Sequence, residues 1–196
     1  MIAAVQLLLK YALIDSFDIG GRLTGIAFGL LILATICIAA AGNVINDIYD
    51  LEADKINKPD KVVIGTAISE KAAFNWFIIF NVLGVGLGFY LSNLIGRSGF
   101  SIIFVGISIL LYLYASSLKQ VLIVKNLIVS VLVAMSLIVV ALFDLLPAIT
   151  AQNQPLLLEV FRIVLLYALF AFGINLIREI VKDLQDVNGD HKMGLN

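Results

Sequence analysis

From Leu23 to Ile45 the chain carries no Asp, Glu, Lys or Arg. A helix needs about 20 apolar residues to cross the hydrocarbon layer of a bilayer, and this run supplies them. Further apolar segments lie at about 1–14, 72–92, 99–118, 123–146 and 156–177, and all three prolines (Pro59, Pro147, Pro155) fall between segments. That placement suits helices, which have no backbone donors to spare in lipid. The runs are continuous rather than alternating and exceed the roughly 10 residues of a barrel strand. The expectation is an all-α, polytopic membrane helix bundle of about six transmembrane helices. Composition agrees, with 61% hydrophobic and 14% charged residues, against roughly 45–50% and about 25% in soluble domains. A water-soluble enzyme is excluded, as is a disulfide-built domain, because Cys37 is the single cysteine. A formal net charge of −1 argues against a nucleic-acid partner. The first segment opens Met1-Ile2-Ala3-Ala4 without a basic lead-in, so it does not read as a cleavable signal. It reads as a helix entered part-way, with Lys10 snorkelling towards an interface.

Six crossings put Lys55, Lys58, Lys61, Lys71, Lys119, Lys125, Arg178, Lys182 and Lys192 on one face. The other face receives only Arg22, Arg97 and Arg162. The bias of basic residues places the first face in the cytoplasm.

The same face carries most of the acid. At 100° per residue, Asn43, Asn46, Asp47, Asp50 and Asp54 share an arc of about 100° at the end of the second segment, and Glu52 points elsewhere. At the end of the sixth, Asn175, Glu179, Asp183 and Asp186 share about 80°. Asn188-Gly189 is expected to end that helix and fold Asp190 back on a loop towards the stripe. Two facing stripes of carboxylates and amides have the hard-oxygen composition that Mg²⁺ prefers, with substrate phosphates completing its shell. A proton or cation pathway and plain solvated helix ends remain alternatives at this stage. An ion-coupled carrier, however, usually keeps its charges near the bilayer midplane, whereas these lie at helix ends.

The two stripes resemble the paired signatures of the UbiA superfamily of intramembrane prenyltransferases. Asn46-Asp47-x-x-Asp50-x-x-x-Asp54, followed by Lys55-Ile56-Asn57-Lys58-Pro59, is similar to the first. Arg178-Glu179-Ile180-x-Lys182-Asp183-x-x-Asp186-x-x-x-Asp190-x-Lys192 is similar to the second. The resemblance implies nine transmembrane helices around a central cavity, of which this chain would supply about six. It also implies one domain, over 1–196, incomplete at both ends and open along the flank of the remaining helices. Asn46, Asp50, Asp54, Asp186 and Asp190 are implied as Mg²⁺ ligands, and the four aspartates among them as catalytic. Asn46, Lys119, Lys125, Asn126 and Asp183 are implied at the substrate diphosphate. The sequence departs from the family after Pro59, where Asp60-Lys61-Val62-Val63-Ile64-Gly65 stands in place of the usual Arg-Pro-x-Pro-Ser-Gly.

The reaction so implied moves a prenyl group from an isoprenyl diphosphate to a lipophilic acceptor within the membrane. The wording of both signatures is most similar to the branch whose acceptor is geranylgeranylglycerol phosphate, with a glycerol hydroxyl as nucleophile. An aromatic acceptor (4-hydroxybenzoate, a naphthoate or a chlorin) is the alternative. Other residues read as structural. His191 is a loop residue, Cys37 packs mid-helix, Trp76 anchors at an interface, and Gly84, Gly86 and Gly88 allow close helix approach.

Overall fold

The computed structural model describes residues 1–18, 20–57 and 59–190, with backbone alone at 53, 57, 61, 122 and 185–190. The described chain is helical, without a strand beyond one isolated bridge between Ile64 and Ile68. Helix α1 (Ile2–Leu7) runs directly into a π-helical stretch, Leu8–Ile14. Then follow α2 (Gly25–Tyr49), α3 (Leu51–Asn57), α4 (Glu70–Leu94), α5 (Ser101–Ser116), α6 (Leu122–Asp144) and α7 (Gln154–Asp190). Five stretches, within α2, α4, α5, α6 and α7 with short flanks, are long and apolar enough to cross a membrane. The first segment is helical too, but shorter.

Local chemistry marks the helix starts. Thr24 and Ser69 stand as N-caps of α2 and α4, their hydroxyls accepting from the Ala27 and Ala72 amides. Pro155 occupies the first turn of α7, where a missing N–H costs nothing.

Helix α2 packs most extensively on α4, and α6 on α7. Helix α5 leans on α2 and α4 and touches α6 only briefly, while α1 bridges α2 and α6. Gly84 and Gly88 permit this closeness: a Cβ at Gly84 would overlap Ile38 of α2, and one at Gly88 the Phe104 ring of α5. Gly86, between them, faces open space, so only two of the three glycines act at the interface.

The apolar core is not spread evenly. Its fully buried members (Phe28, Leu31, Leu91, Val140, Phe143, Leu145, Leu157 and Val160 among them) come from the start of α2, the end of α4, the end of α6 and the start of α7. That is the end remote from the acidic stripes. There Lys10, expected to snorkel, is instead 6% exposed. Its ammonium lies 2.7 Å from Asp144 and 3.1 Å from Asp15. The π-helical stretch carries it inward, with the Asp15 amide bonding the Lys10 carbonyl. Asp144 is fully buried and also accepts from the Leu23 amide at 2.8 Å, so it ties three chain segments together.

One expectation for α7 is corrected. The helix does not stop at Asn188-Gly189 but continues through Asp190. Asn and Gly cost at most about 1 kcal/mol each in a helix, and a helix of 37 residues absorbs that. Asp183, Asp186 and Asp190 therefore follow one another at i, i+3 and i+7 on a single helix. His191 and Lys192 lie outside the described residues.

Candidate functional site

Helix α2 gives way to α3 through a turn at Asp50, and two i→i−4 bonds span the junction. The Asp50 amide bonds the Asn46 carbonyl at 2.9 Å, and the Asp54 amide bonds the Asp50 carbonyl at 2.8 Å. The first stripe thus survives the bend. The Asp50 carboxylate is held on both oxygens, by Asn46 Nδ2 at 2.8 Å and by Lys119 Nζ at 2.5 Å. The Asn46 amide oxygen is buried and, among the described residues, has no partner. Asp47 is exposed yet lies in the field of Asp54, Asp50 and Lys119, so these four groups form one electrostatic unit. Asn43, on the same arc, is exposed and, among the described residues, hydrogen-bonds to none of these groups.

The same arrangement recurs on the opposite pair of helices. Asp183 of α7 is held on one oxygen by Lys125 Nζ at 2.5 Å and on the other by Asn126 Nδ2 at 2.7 Å, both from α6. Again the amide oxygen, Asn126 Oδ1, is buried without a partner among the described residues. Each aspartate is clamped between a lysine and an asparagine, and each clamp leaves one amide oxygen unused. Behind the second clamp, Ser130 Oγ donates to the Asn126 carbonyl at 2.7 Å and accepts from Asn175 Nδ2 at 3.3 Å. These three side chains form a buried polar column between α6 and α7.

Tyr114 of α5 is half-buried and lies within electrostatic range of Glu179, Asp50 and Asp183. Nearby, the Tyr49 and Tyr112 hydroxyls hydrogen-bond at 3.3 Å with their rings edge to face. Sequence reasoning missed all three tyrosines and Ser130. The signal for Ser130 was available, since it stands one helical turn after Asn126 on the same face.

The residues off the stripes behave as surface groups. Glu52 is highly exposed and pairs with Lys55 at 2.6 Å, a bond that holds the Lys55 ammonium above its ordinary pKa. Arg178 and Lys182 lie on the solvent side of α7, 3.4 and 3.9 Å from Glu179. Among the described residues, no three acidic, His or Cys side chains converge closely enough to hold a metal. The side chains of Asp186 and Asp190 lie outside that description. The donors around Asp50 are hard oxygens, and Asn46 Oδ1 is buried and unused among the described residues, which fits a Mg²⁺-type ion better than a soft one.

Residues 16–196 match the UbiA prenyltransferase family. The chain belongs to that family. Among curated proteins it is 35% identical over 175 residues to a digeranylgeranylglyceryl phosphate synthase of Korarchaeum cryptofilum, covering 88% of this chain and 56% of that protein. Proteins of the same name from Methanopyrus kandleri and Sulfolobus acidocaldarius are 34% and 36% identical, over 90% and 86% of this chain. The chain spans 58% and 55% of their respective lengths. A solved structure described as giving insight into digeranylgeranylglyceryl phosphate synthase in membranes superposes with a TM-score of 0.67 at 27% identity. It covers 98% of this chain, which covers 61% of it. The UbiA family membership and the five apolar helices make this an integral membrane protein.

Proposed function

We propose that this UbiA-family chain contributes the diphosphate-binding half-sites of a prenyltransferase at the cytoplasmic face of the cell membrane. Its donor is an isoprenyl diphosphate of geranylgeranyl type, and its acceptor is the free hydroxyl of a geranylgeranylglyceryl phosphate. The observation that carries this reading is the pair of matched clamps, Asn46–Asp50–Lys119 and Asn126–Asp183–Lys125. The names of the relatives support the acceptor class.

Asn46, Asp50, Asp54, Asp186 and Asp190 supply the oxygens for Mg²⁺. Bound there, the ion neutralises diphosphate charge and makes the diphosphate a better leaving group. Lys119 and Lys125 sit on flexible four-carbon stems, so their ammonium groups can pass from the aspartates to phosphate oxygens. In the reaction the bond between prenyl C1 and the diphosphate oxygen breaks, and the electron pair leaves with the diphosphate. The hydroxyl oxygen of the acceptor bonds to C1, and its proton is released. Apolar helix walls keep water from the allylic centre while its positive charge develops. The C-terminal acids of α7 and the C-terminal acids of α2–α3 act from two sides of one diphosphate.

The test is transfer in proteoliposomes with labelled geranylgeranyl diphosphate, Mg²⁺ and a panel of acceptors. The account expects product with the glyceryl ether phosphate and none after chelation of Mg²⁺. Product with 4-hydroxybenzoate or a naphthoate instead would replace the acceptor assignment.

A further inference from the structure

The two unused amide oxygens, Asn46 Oδ1 and Asn126 Oδ1, sit in different electrostatic surroundings. Around Asn46, among the described side chains, the acids Asp47, Asp50 and Asp54 outnumber the one lysine, Lys119, whose charge reaches them. That end attracts a cation. Asn126 is 4% exposed, and the carboxylate it touches, Asp183, has one oxygen on Lys125 and the other on the Asn126 amide itself. The next acid towards the start of α7, Glu179, is matched by Arg178 and Lys182. Among the described side chains, charge immediately around Asn126 is therefore balanced, and Mg²⁺ sites are built on carboxylates with charge to spare.

The orientation of this amide is fixed. Turning it over would set its carbonyl against the Asp183 carboxylate, and Ser130, braced by Asn175, holds the backbone of the same residue. Its oxygen is thus presented as an acceptor for a neutral O–H or N–H donor. Depth narrows the choice. At about 1.5 Å of rise per residue, Asp183 lies some 4.5 Å nearer the middle of the membrane than Asp186 and some 10 Å nearer than Asp190. Asn126 is accordingly on the bilayer side of the diphosphate level, the side from which an apolar prenyl chain and a lipid acceptor both approach.

We infer that Asn126 Oδ1 accepts a hydrogen bond from the hydroxyl of the lipid acceptor and so orients that hydroxyl oxygen towards prenyl C1. The inference rests on the prenyl-transfer reading above and adds to it a residue that selects for an acceptor with a free hydroxyl. Asn126 does not take the proton; it aims the oxygen lone pair that forms the new C–O bond.

Binding in lipid nanodiscs tests this without turnover. A geranylgeranylglyceryl phosphate with its hydroxyl and a deoxy analogue without it are titrated onto the protein loaded with Mg²⁺ and geranylgeranyl thiolodiphosphate, which does not react. One hydrogen bond of ordinary strength gives the hydroxyl compound about fivefold tighter binding. In Asn126→Ala, and in the near-isosteric Asn126→Leu, the two compounds bind equally. Ser130→Ala keeps the preference. No preference in the unaltered protein, or a preference that survives both Asn126 variants, overturns the inference and leaves the prenyl-transfer reading standing. A rise in the Mg²⁺ needed to bind thiolodiphosphate in both Asn126 variants makes Oδ1 a metal ligand and likewise overturns it. Failure of the unaltered protein to bind thiolodiphosphate removes the underlying reading, and the inference with it.

Discussion

Replacing Asp144 by alanine removes the anion that neutralises Lys10 at the end of the bundle remote from the site. The Lys10 and Asp144 side chains are 8% and 0% exposed, so water can do little to replace the lost partner. Removing one member of a buried pair costs about 3–5 kcal/mol, against less than about 1 kcal/mol for a surface pair. Two structural details adjust that figure. Asp15, 3.1 Å from Lys10 and 37% exposed, recovers part of the charge interaction. The Leu23 amide, which donates to Asp144 Oδ1 at 2.8 Å, loses its acceptor, and a buried N–H left unpaired costs about 1–3 kcal/mol. The two corrections oppose each other, and the expected loss stays at about 3–5 kcal/mol. Asp144→Asn keeps an acceptor for Leu23 and should cost less. The pair Lys10→Met with Asp144→Asn removes both charges and should be more stable than Lys10→Met alone, because no buried ion is left uncompensated. Unfolding in mixed detergent micelles, followed through all four corners of the cycle, measures these values. A loss below about 1 kcal/mol for Asp144→Ala, or strict additivity in the cycle, would refute the buried-pair argument.

Three further outcomes are expected. Asp50→Asn should abolish prenyl transfer, whereas Glu52→Gln, on an exposed side chain paired only with Lys55, should change it less than twofold, about the scale of a surface charge pair; equal damage from both would dismiss the helical-face argument. Gly88→Leu should destabilise the protein by about 1–3 kcal/mol through overpacking, since even a Cβ there meets the Phe104 ring, while Gly86→Leu, which faces open space, should be tolerated in the same unfolding assay. Cysteines placed at Asp60 and Asn188 should resist an impermeant thiol reagent applied outside cells and one at Asn153 should react; the reverse pattern would put the acids outside.

Much of this was legible in the sequence because lipid imposes a simple rule. Every backbone group in the bilayer must be satisfied within its own segment, so long apolar runs become helices and their limits are easy to read. The 3.6-residue period likewise placed Asn46, Asp50 and Asp54 on one stripe and put Glu52 off it, and the structure keeps them there. What the period does not encode is the pairing between segments. Lys10 and Asp144 are 134 positions apart, and nothing local marks them as partners; a lone lysine near a helix end has snorkelling as its simplest reading. The lysine–asparagine clamps were hidden for the same reason. Lys119 and Lys125 satisfy the inside-positive bias whether or not they touch an aspartate. Only the packing of α5 beside α2 and of α6 beside α7 sets their ammonium groups on Asp50 and Asp183. For Asn188-Gly189, a local stop signal lost to the length of the helix preceding it.

The central claim is that the acids ending α2–α3 and those ending α7 act on one diphosphate. Mg²⁺-dependent binding of labelled geranylgeranyl diphosphate, measured in nanodiscs for Asp50→Asn, Asp186→Asn and the double variant, tests it most directly. The account predicts that each single change removes most of the binding and that the double variant is scarcely worse than either, because both remove the same complex. Independent, additive losses, or full binding when one stripe is neutralised, would mean that the two stripes are separate sites and would contradict it.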